Sequence, residues 1–157
     1  MENNLFPSGY EEEIITEEDR TSQEPTGYRN GIAYDDQTGD YVRDGKNIIL
    51  DSTGIESWKS WCFNCLNTER YAHLAYSTDF GIETAAAFAA TSREEAESIL
   101  TRTITEALLA DPYQRTKYVD DIEFVWSAPD SVEAKVSIQG IEGVSIDVVA
   151  YLTRGEK

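Results

Sequence analysis

An α+β fold is predicted, a small antiparallel C-terminal β-meander packed by two or three helices, with short N-terminal strands and an acidic N-terminal arm. Three observations predict it. Apolar residues recur at period two through the last third of the chain, the mark of strands with one dry face. In the middle third they recur at three- and four-residue steps behind helix-start signals. The first thirty residues hold eight acids, two bases and little that is apolar.

Residues 1–30 carry Pro7 and Pro25 and, beyond Leu5, Phe6, Ile14 and Ile15, few side chains that can offset ordering entropy. They read as an extended or disordered arm, and residues 31–157 as one domain. In "GIAYDDQTGDYVRDGKNIIL", short runs of Ile and Tyr are broken by Thr38-Gly39 and by Asp44-Gly45, the second a favoured hairpin pair, so two or three short strands are expected. Thr53 with Glu56 forms a capping box, and Ile55, Trp58, Trp61, Cys62, Cys65 and Leu66 then follow along one helical face. "GIETAAAFAA" reads as a small-residue helix that allows close approach. Ser92 with Glu95 is a second box, ahead of Ala96, Ile99, Leu100, Thr103, Ala107 and Leu108, and "DPY" at residues 111–113 ends that helix. Beyond it Ile122, Phe124 and Trp126, then Val132, Ala134, Val136 and Ile138, then Val144, Ile146, Val148 and Ala150 alternate with other residues. "SAPDS" and "QGIEG" supply the turns of a three-stranded meander.

Charge narrows the function classes. Thirteen Lys and Arg against thirty Asp and Glu leave a net charge of −17 over 157 residues. Such a field repels phosphate backbones and anionic lipid surfaces, so neither nucleic acid nor membrane is expected as a partner. "MENNLFPSGYEEE" has neither the basic region nor the apolar run of a signal peptide, and the expectation is a soluble protein made in the cytoplasm.

Each candidate for chemistry has a plainer reading beside it. Cys62 and Cys65 have the spacing of half a metal site, yet there is no second pair and only one His, whereas structural zinc takes four ligands. Their place on the apolar helix face makes them core thiols. His73, Ser77 and Asp79 supply the residue types of a triad without the strand-turn-helix elbow around the serine. Thirty acids guarantee carboxylate pairs by chance, so glycan hydrolysis gains nothing from their number. No cofactor, no metal and no enzymatic activity are expected.

"TERY", Thr68-Glu69-Arg70-Tyr71, is less ordinary. It falls where the first apolar helix stops, and the "AHLAYSTDFG" that follows is largely aromatic or small, so the acid and base do not sit on an open solvated face. The planar fork of Arg70 suits a carboxylate or the carbonyls of another chain. The last strand presents a second surface of the same kind, because a strand at a sheet edge exposes unpaired N–H and C=O groups.

On these residues, "GKNIILDSTGIESW", "CLNTERYAHLAYSTDFGIE", "DPY" and the three strands, the chain resembles the sheath-initiator or baseplate wedge proteins of contractile phage tails, a lysozyme-like baseplate family, in its Bacillus prophage and tailocin branch. The likeness runs from about Tyr28 to Leu152. It implies a structural protein present in multiple copies in a sixfold baseplate, made in the bacterial cytoplasm. The implied partners are the large wedge proteins, the tail sheath protein and, further off, hub or tube proteins. It also implies that C-terminal strands, through Val144, Ile146, Val148 and Ala150, receive strands of the first sheath ring. In better-known relatives the loop reads Glu-Pro-Arg and binds the helical bundle of the wedge. Here Glu69 and Arg70 carry over and the proline does not, which leaves Thr68, Glu69, Arg70 and Tyr71 as the wedge-facing residues. The alternative reading is a baseplate-borne glycan hydrolase.

Overall fold

The structure is a computed structural model that describes residues 27–154. The element order is four two-residue strands, β1 (Gly31–Ile32), β2 (Tyr34–Asp35), β3 (Asp40–Tyr41) and β4 (Asp51–Ser52), then α1 (Gly54–Leu66), α2 (Ala85–Phe88), α3 (Arg93–Leu109), and three long strands, β5 (Thr116–Ala128), β6 (Ser131–Gly140) and β7 (Ser145–Thr153). The α+β expectation holds. The sheet is an antiparallel meander in the order β5-β6-β7, with β6 in the centre. The arm assigned to residues 1–30 falls mostly outside the described residues. Its last part belongs to the domain: the Gly27 N–H donates to the Tyr113 carbonyl and the Tyr28 ring lies 5.5 Å from that of Trp58.

The N-terminal block folds where its turn residues direct it, β1 pairing with β4 and β2 with β3. Gly39 takes a φ of 71°, as the expected turn requires. At the second turn the Asp44 carboxylate accepts the N–H groups of Lys46 and Ile48, and the left-handed residue is Asn47, at φ 65°, not Gly45.

The α1 helix starts at the capping box the sequence announces. The Glu56 N–H donates to the Thr53 hydroxyl at 3.3 Å and the Thr53 N–H to the Glu56 carboxylate at 2.9 Å. These bonds hold Glu56 below the usual carboxylate range, the Thr53 N–H contributing most. Trp58, Cys62, Cys65 and Leu66 then turn inward, while Ile55, expected on the same face, is exposed. It stands in the first turn, before the helix runs beneath the sheet. The second start differs in detail: the Ser92 hydroxyl caps Glu95, whose carboxylate reaches one residue further back, to the N–H and hydroxyl of Thr91. Residues 81–90, expected as a helix, are helical only at Ala85–Phe88. Gly81 at φ 93° and a parallel bridge between Glu69 and Ile82 keep the chain extended ahead of it.

Helices cover one face of the sheet. Leu100, Ile104, Ala107 and Leu108 of α3 and the α1 residues meet Val132, Ala134, Val136 and Ile138 of β6 and Ile146, Val148, Ala150 and Leu152 of β7. Trp58 is at the centre, its indole N–H donating to the Thr116 hydroxyl at 3.1 Å. Gly140 admits it, since a Cβ there would lie 2.6 Å from the indole ring.

One buried polar feature went unread in the sequence, where "DPY" served only to end a helix. Arg115 donates to both oxygens of Asp111, from Nε at 2.9 Å and from Nη2 at 2.7 Å, and its backbone N–H adds a third bond at 2.7 Å. Both side chains are essentially excluded from water. Breaking a buried pair leaves an uncompensated charge, so Arg115→Ala is expected to lower stability by about 3 to 5 kcal/mol. Urea unfolding checks this: a variant within about 0.5 kcal/mol of the parent, the usual range of a surface substitution, contradicts it.

Candidate functional site

The "TERY" loop is held from inside. The Arg70 N–H donates to the Ile82 carbonyl at 2.9 Å and the Ile82 N–H to the Thr68 carbonyl at 3.0 Å, which lays the segment after α1 against the segment before α2 in an isolated parallel bridge. The Glu69 carboxylate accepts the hydroxyl of Thr84 at 2.9 Å and its N–H at 3.4 Å, bracing the entry to α2. Arg70 donates from Nε to the Gly81 carbonyl at 3.1 Å and pairs with Glu83 at 3.7 Å. The acid and base are brought together in one loop, but each is bonded within its own chain. Gly81 makes this closure possible, because a Cβ at that position would sit 2.8 Å from the Thr68 carbonyl oxygen.

What the braced loop shows to solvent is Tyr71, left-handed at φ 66° and 67% exposed, with Leu74 and Tyr76 beyond it. A bulky residue in that region is unusual, and here it stands in the turn closed by the bond from the Ala72 N–H to the Glu69 carbonyl at 3.2 Å. The rings behind it form a ladder from the core outward. Trp61 and Phe80 are 5.8 Å apart, Phe80 and Tyr76 4.6 Å, Tyr76 and His73 5.4 Å. Arg115 lies over Trp61 at 5.8 Å, so the ladder stands on the buried ion pair. The exposed face of the loop therefore mixes the large side chains of Tyr71, Leu74 and Tyr76 with polar ones, and its ends are braced by the bonds of Glu69, Arg70 and Ile82.

The second surface is the last strand. Val144 precedes β7 and lies in the turn, where its carbonyl accepts the Gly140 N–H at 2.7 Å. Ile146, Val148 and Ala150 are buried, their side chains in the core. Their backbone groups also face inward. The Tyr151 N–H points away from β6, to the Asn67 side chain at 3.1 Å, whereas the Arg154 N–H reaches the Asp130 carbonyl in the β5–β6 turn. Successive residues of a strand turn their N–H and C=O groups to opposite sides, so even-numbered residues of β7 pair with β6 and the odd ones, Ser145, Asp147 and Val149, face the free edge. Period-two alternation located the dry face correctly. Edge groups depend on ladder register, which the sequence alone does not carry.

The sheet has two edges, and they differ. Against β6, strand β5 is irregular at three places, Thr116/Tyr118, Val119/Asp121 and Trp126/Ala128, and it carries Asp120, Asp121 and Glu123. Bulges and charges are the usual means of blunting an edge. From Ser145 to Thr153, β7 pairs without a break. It ends in a groove of about 750 Å³ whose other wall is Thr68, Glu69 and Thr84, so the two surfaces adjoin.

His73, Ser77 and Asp79 lie on the exposed face of the loop, and no hydrogen bond joins their side chains. Among the described residues no group of three or more His, Cys, Asp or Glu is arranged to hold a metal ion. No helix among them is long and apolar enough to cross a membrane. Cys62 and Cys65 are buried and unpaired by any disulfide. Cys65 lies between the Gly81 N–H, 3.4 Å away, and the Ala107 carbonyl.

Residues 30–143 match the family model described as contractile injection system sheath initiator. The match covers the hairpins, all three helices, β5, β6 and the turn into β7. No curated protein matches the chain.

Thiol chemistry tests the burial of α1. Burial pushes Cys65 up from 9.0 to about 11, partly offset by the Gly81 N–H and Arg70, and raises Cys62 further, with Asp111 adding to the effect. In the unfolded chain both thiols ionise first, so stability is full below pH 9.0 and falls as pH rises through about 11. An aromatic disulfide reagent at pH 8 should label neither thiol until urea is added, and the urea midpoint should fall above pH 9 more steeply than in a Cys62→Ala/Cys65→Ala variant. Rapid labelling of the folded protein contradicts this.

Proposed function

The chain belongs to the contractile injection system sheath initiator family, and on that premise we propose that it joins the baseplate wedge and starts the sheath by lending the free edge of β7 to the first sheath ring. The family role is structural and fits a phage tail or baseplate component. The finer reading has multiple copies in a sixfold baseplate, made in the bacterial cytoplasm of a prophage or tailocin host, with sheath protein on one side and the large wedge proteins on the other, hub or tube proteins lying nearby.

The observation that carries the sheath contact is the contrast between the two sheet edges. An unbroken edge strand pairs readily with an added strand, and a bulged, charged one does not. The outward groups belong to Ser145, Asp147 and Val149, so these residues replace Ile146, Val148 and Ala150 as the donors and acceptors of the contact, while Val144 shapes the turn that leads into it. The buried three supply the rigid floor on which the edge lies.

For the wedge contact, support comes from the loop that Thr68, Glu69 and Arg70 close. Tyr71, Leu74 and Tyr76 offer exposed apolar area on a backbone fixed at both ends, at low further ordering entropy. In this reading the acid and base shape the surface, and Tyr71 and its neighbours touch the partner. The charge of −17 keeps free copies apart before assembly and steers the protein toward a basic face.

Proline substitution separates the strand's two sides. Val149→Pro removes an N–H from the free edge and is tolerated there, since edge strands accept proline where the donor faces solvent. Val148→Pro removes a donor to β6 and should unfold the sheet. Particles assembled with Val149→Pro are expected to have baseplates and tubes but no sheath by electron microscopy. Normal sheath in those particles overturns the proposal.

A further inference from the structure

Asn67 occupies an odd position for a helix C-cap. Its amide donates to the Phe63 carbonyl at 2.9 Å, closing the last turn of α1. Its carbonyl accepts the N–H of Tyr151, 84 residues away, at 3.1 Å. One exposed side chain thus adds a second donor to a carbonyl that already accepts Asn67's own N–H at 3.1 Å, and it occupies one donor on the free edge of β7. The outward donors of β7 between the turn and this point, on Ser145, Asp147 and Val149, have no such partner among the described residues. Beside them runs a groove of about 440 Å³, walled by Lys59 and Phe63 of α1 and by Asp36 and Gln37 of the β2–β3 turn.

We propose that Asn67 is a stop: it limits the open edge to residues 145–149 and thereby fixes where a strand from a sheath subunit ends when it adds to β7. This rests on the strand-addition reading above and goes beyond it in naming the length and register of the contact. A strand entering the groove can exchange main-chain bonds with Asp147 and Val149. At Tyr151 it meets a donor already taken, beside the bulk of the α1 terminus. The occupant is an extended segment with an apolar side chain against Phe63, its outer face beside the Asp147 carboxylate. The cap also protects the free protein, because a shorter open edge is a poorer template for pairing between copies.

Amide hydrogen exchange tests this on the full-length chain, alone and bound to the purified sheath subunit of the same system. With Asn67→Ala, the Tyr151 amide should exchange about tenfold faster in the free protein, as loss of one hydrogen bond implies. On binding sheath, the parent should gain protection at Ser145, Asp147 and Val149 and not at Tyr151. The variant should gain it at Tyr151 as well, the added strand having run two residues further. If Tyr151 exchanges at the parent rate in the free variant, Asn67 does not cap it and the inference falls. Where Tyr151 is released but stays unprotected in the variant's complex, something else ends the strand, and the inference falls while strand addition stands. Absence of protection at Asp147 and Val149 in either complex overturns strand addition itself and the stop with it.

Discussion

Asp111 and Arg115 meet where α3 hands the chain to β5, and the β6–β7 turn, Gly27 and the Trp61 ring are fastened to this junction. The Asp111 carboxylate accepts two side-chain donors of Arg115 together with its backbone N–H, so the turn after the helix is closed by charge in a place water does not reach. The Arg115 carbonyl accepts the Ile141 N–H and so ties down the β6–β7 turn, and the Tyr113 carbonyl holds Gly27. Above the guanidinium lie the rings of Tyr113 and Trp61, and from Trp61 the aromatic ladder runs out to the exposed loop. A buried ion pair is not by itself a source of stability, since desolvation offsets much of the attraction. What it adds here is a local arrangement: the end of α3 and the start of β5 are held in the geometry that keeps both charges satisfied, and the Trp61 ring packs on it.

From that junction the division of labour in the molecule follows. Its core face is dry and ordinary, and its distinguishing features are at the rims. One sheet edge is bent by three irregularities and lined with acids. The other is straight, with its donors and acceptors turned outward and one helix-capping amide closing its far end. A monomer gains nothing from leaving a regular edge open and risks aggregation by doing so. In the proposed assembly the open edge is the working part, and the acidic surface and the Asn67 cap limit unwanted pairing until the sheath arrives.

Much of this was legible in the residues. Capping boxes placed the starts of α1 and α3, period-two alternation placed the dry face of the meander, and the "TERY…DFG" string pointed to the family that the comparison bears out. The remainder depends on contacts that span long sequence separations. That Glu69 and Arg70 serve their own loop follows from Thr84 and Gly81, which no local pattern links to them. Residues 81–90 look helical by composition, yet the bridge from Ile82 to Glu69 keeps the chain extended ahead of Ala85, and only Ala85–Phe88 are helical. The Asp111–Arg115 pair has a helical i,i+4 spacing but straddles a proline, so it reads as a turn until its burial is seen. Parity of the edge groups on β7 needed the bond from Tyr151 to Asn67.

A cryo-EM map of the assembled baseplate with its first sheath ring tests the central claim most directly. The account predicts a sheath strand hydrogen-bonded along residues 145–149 of β7, ending short of Tyr151, with β5 unpaired at its outer edge. A map in which β7 keeps a bare edge, or in which sheath strands add to β5, contradicts it.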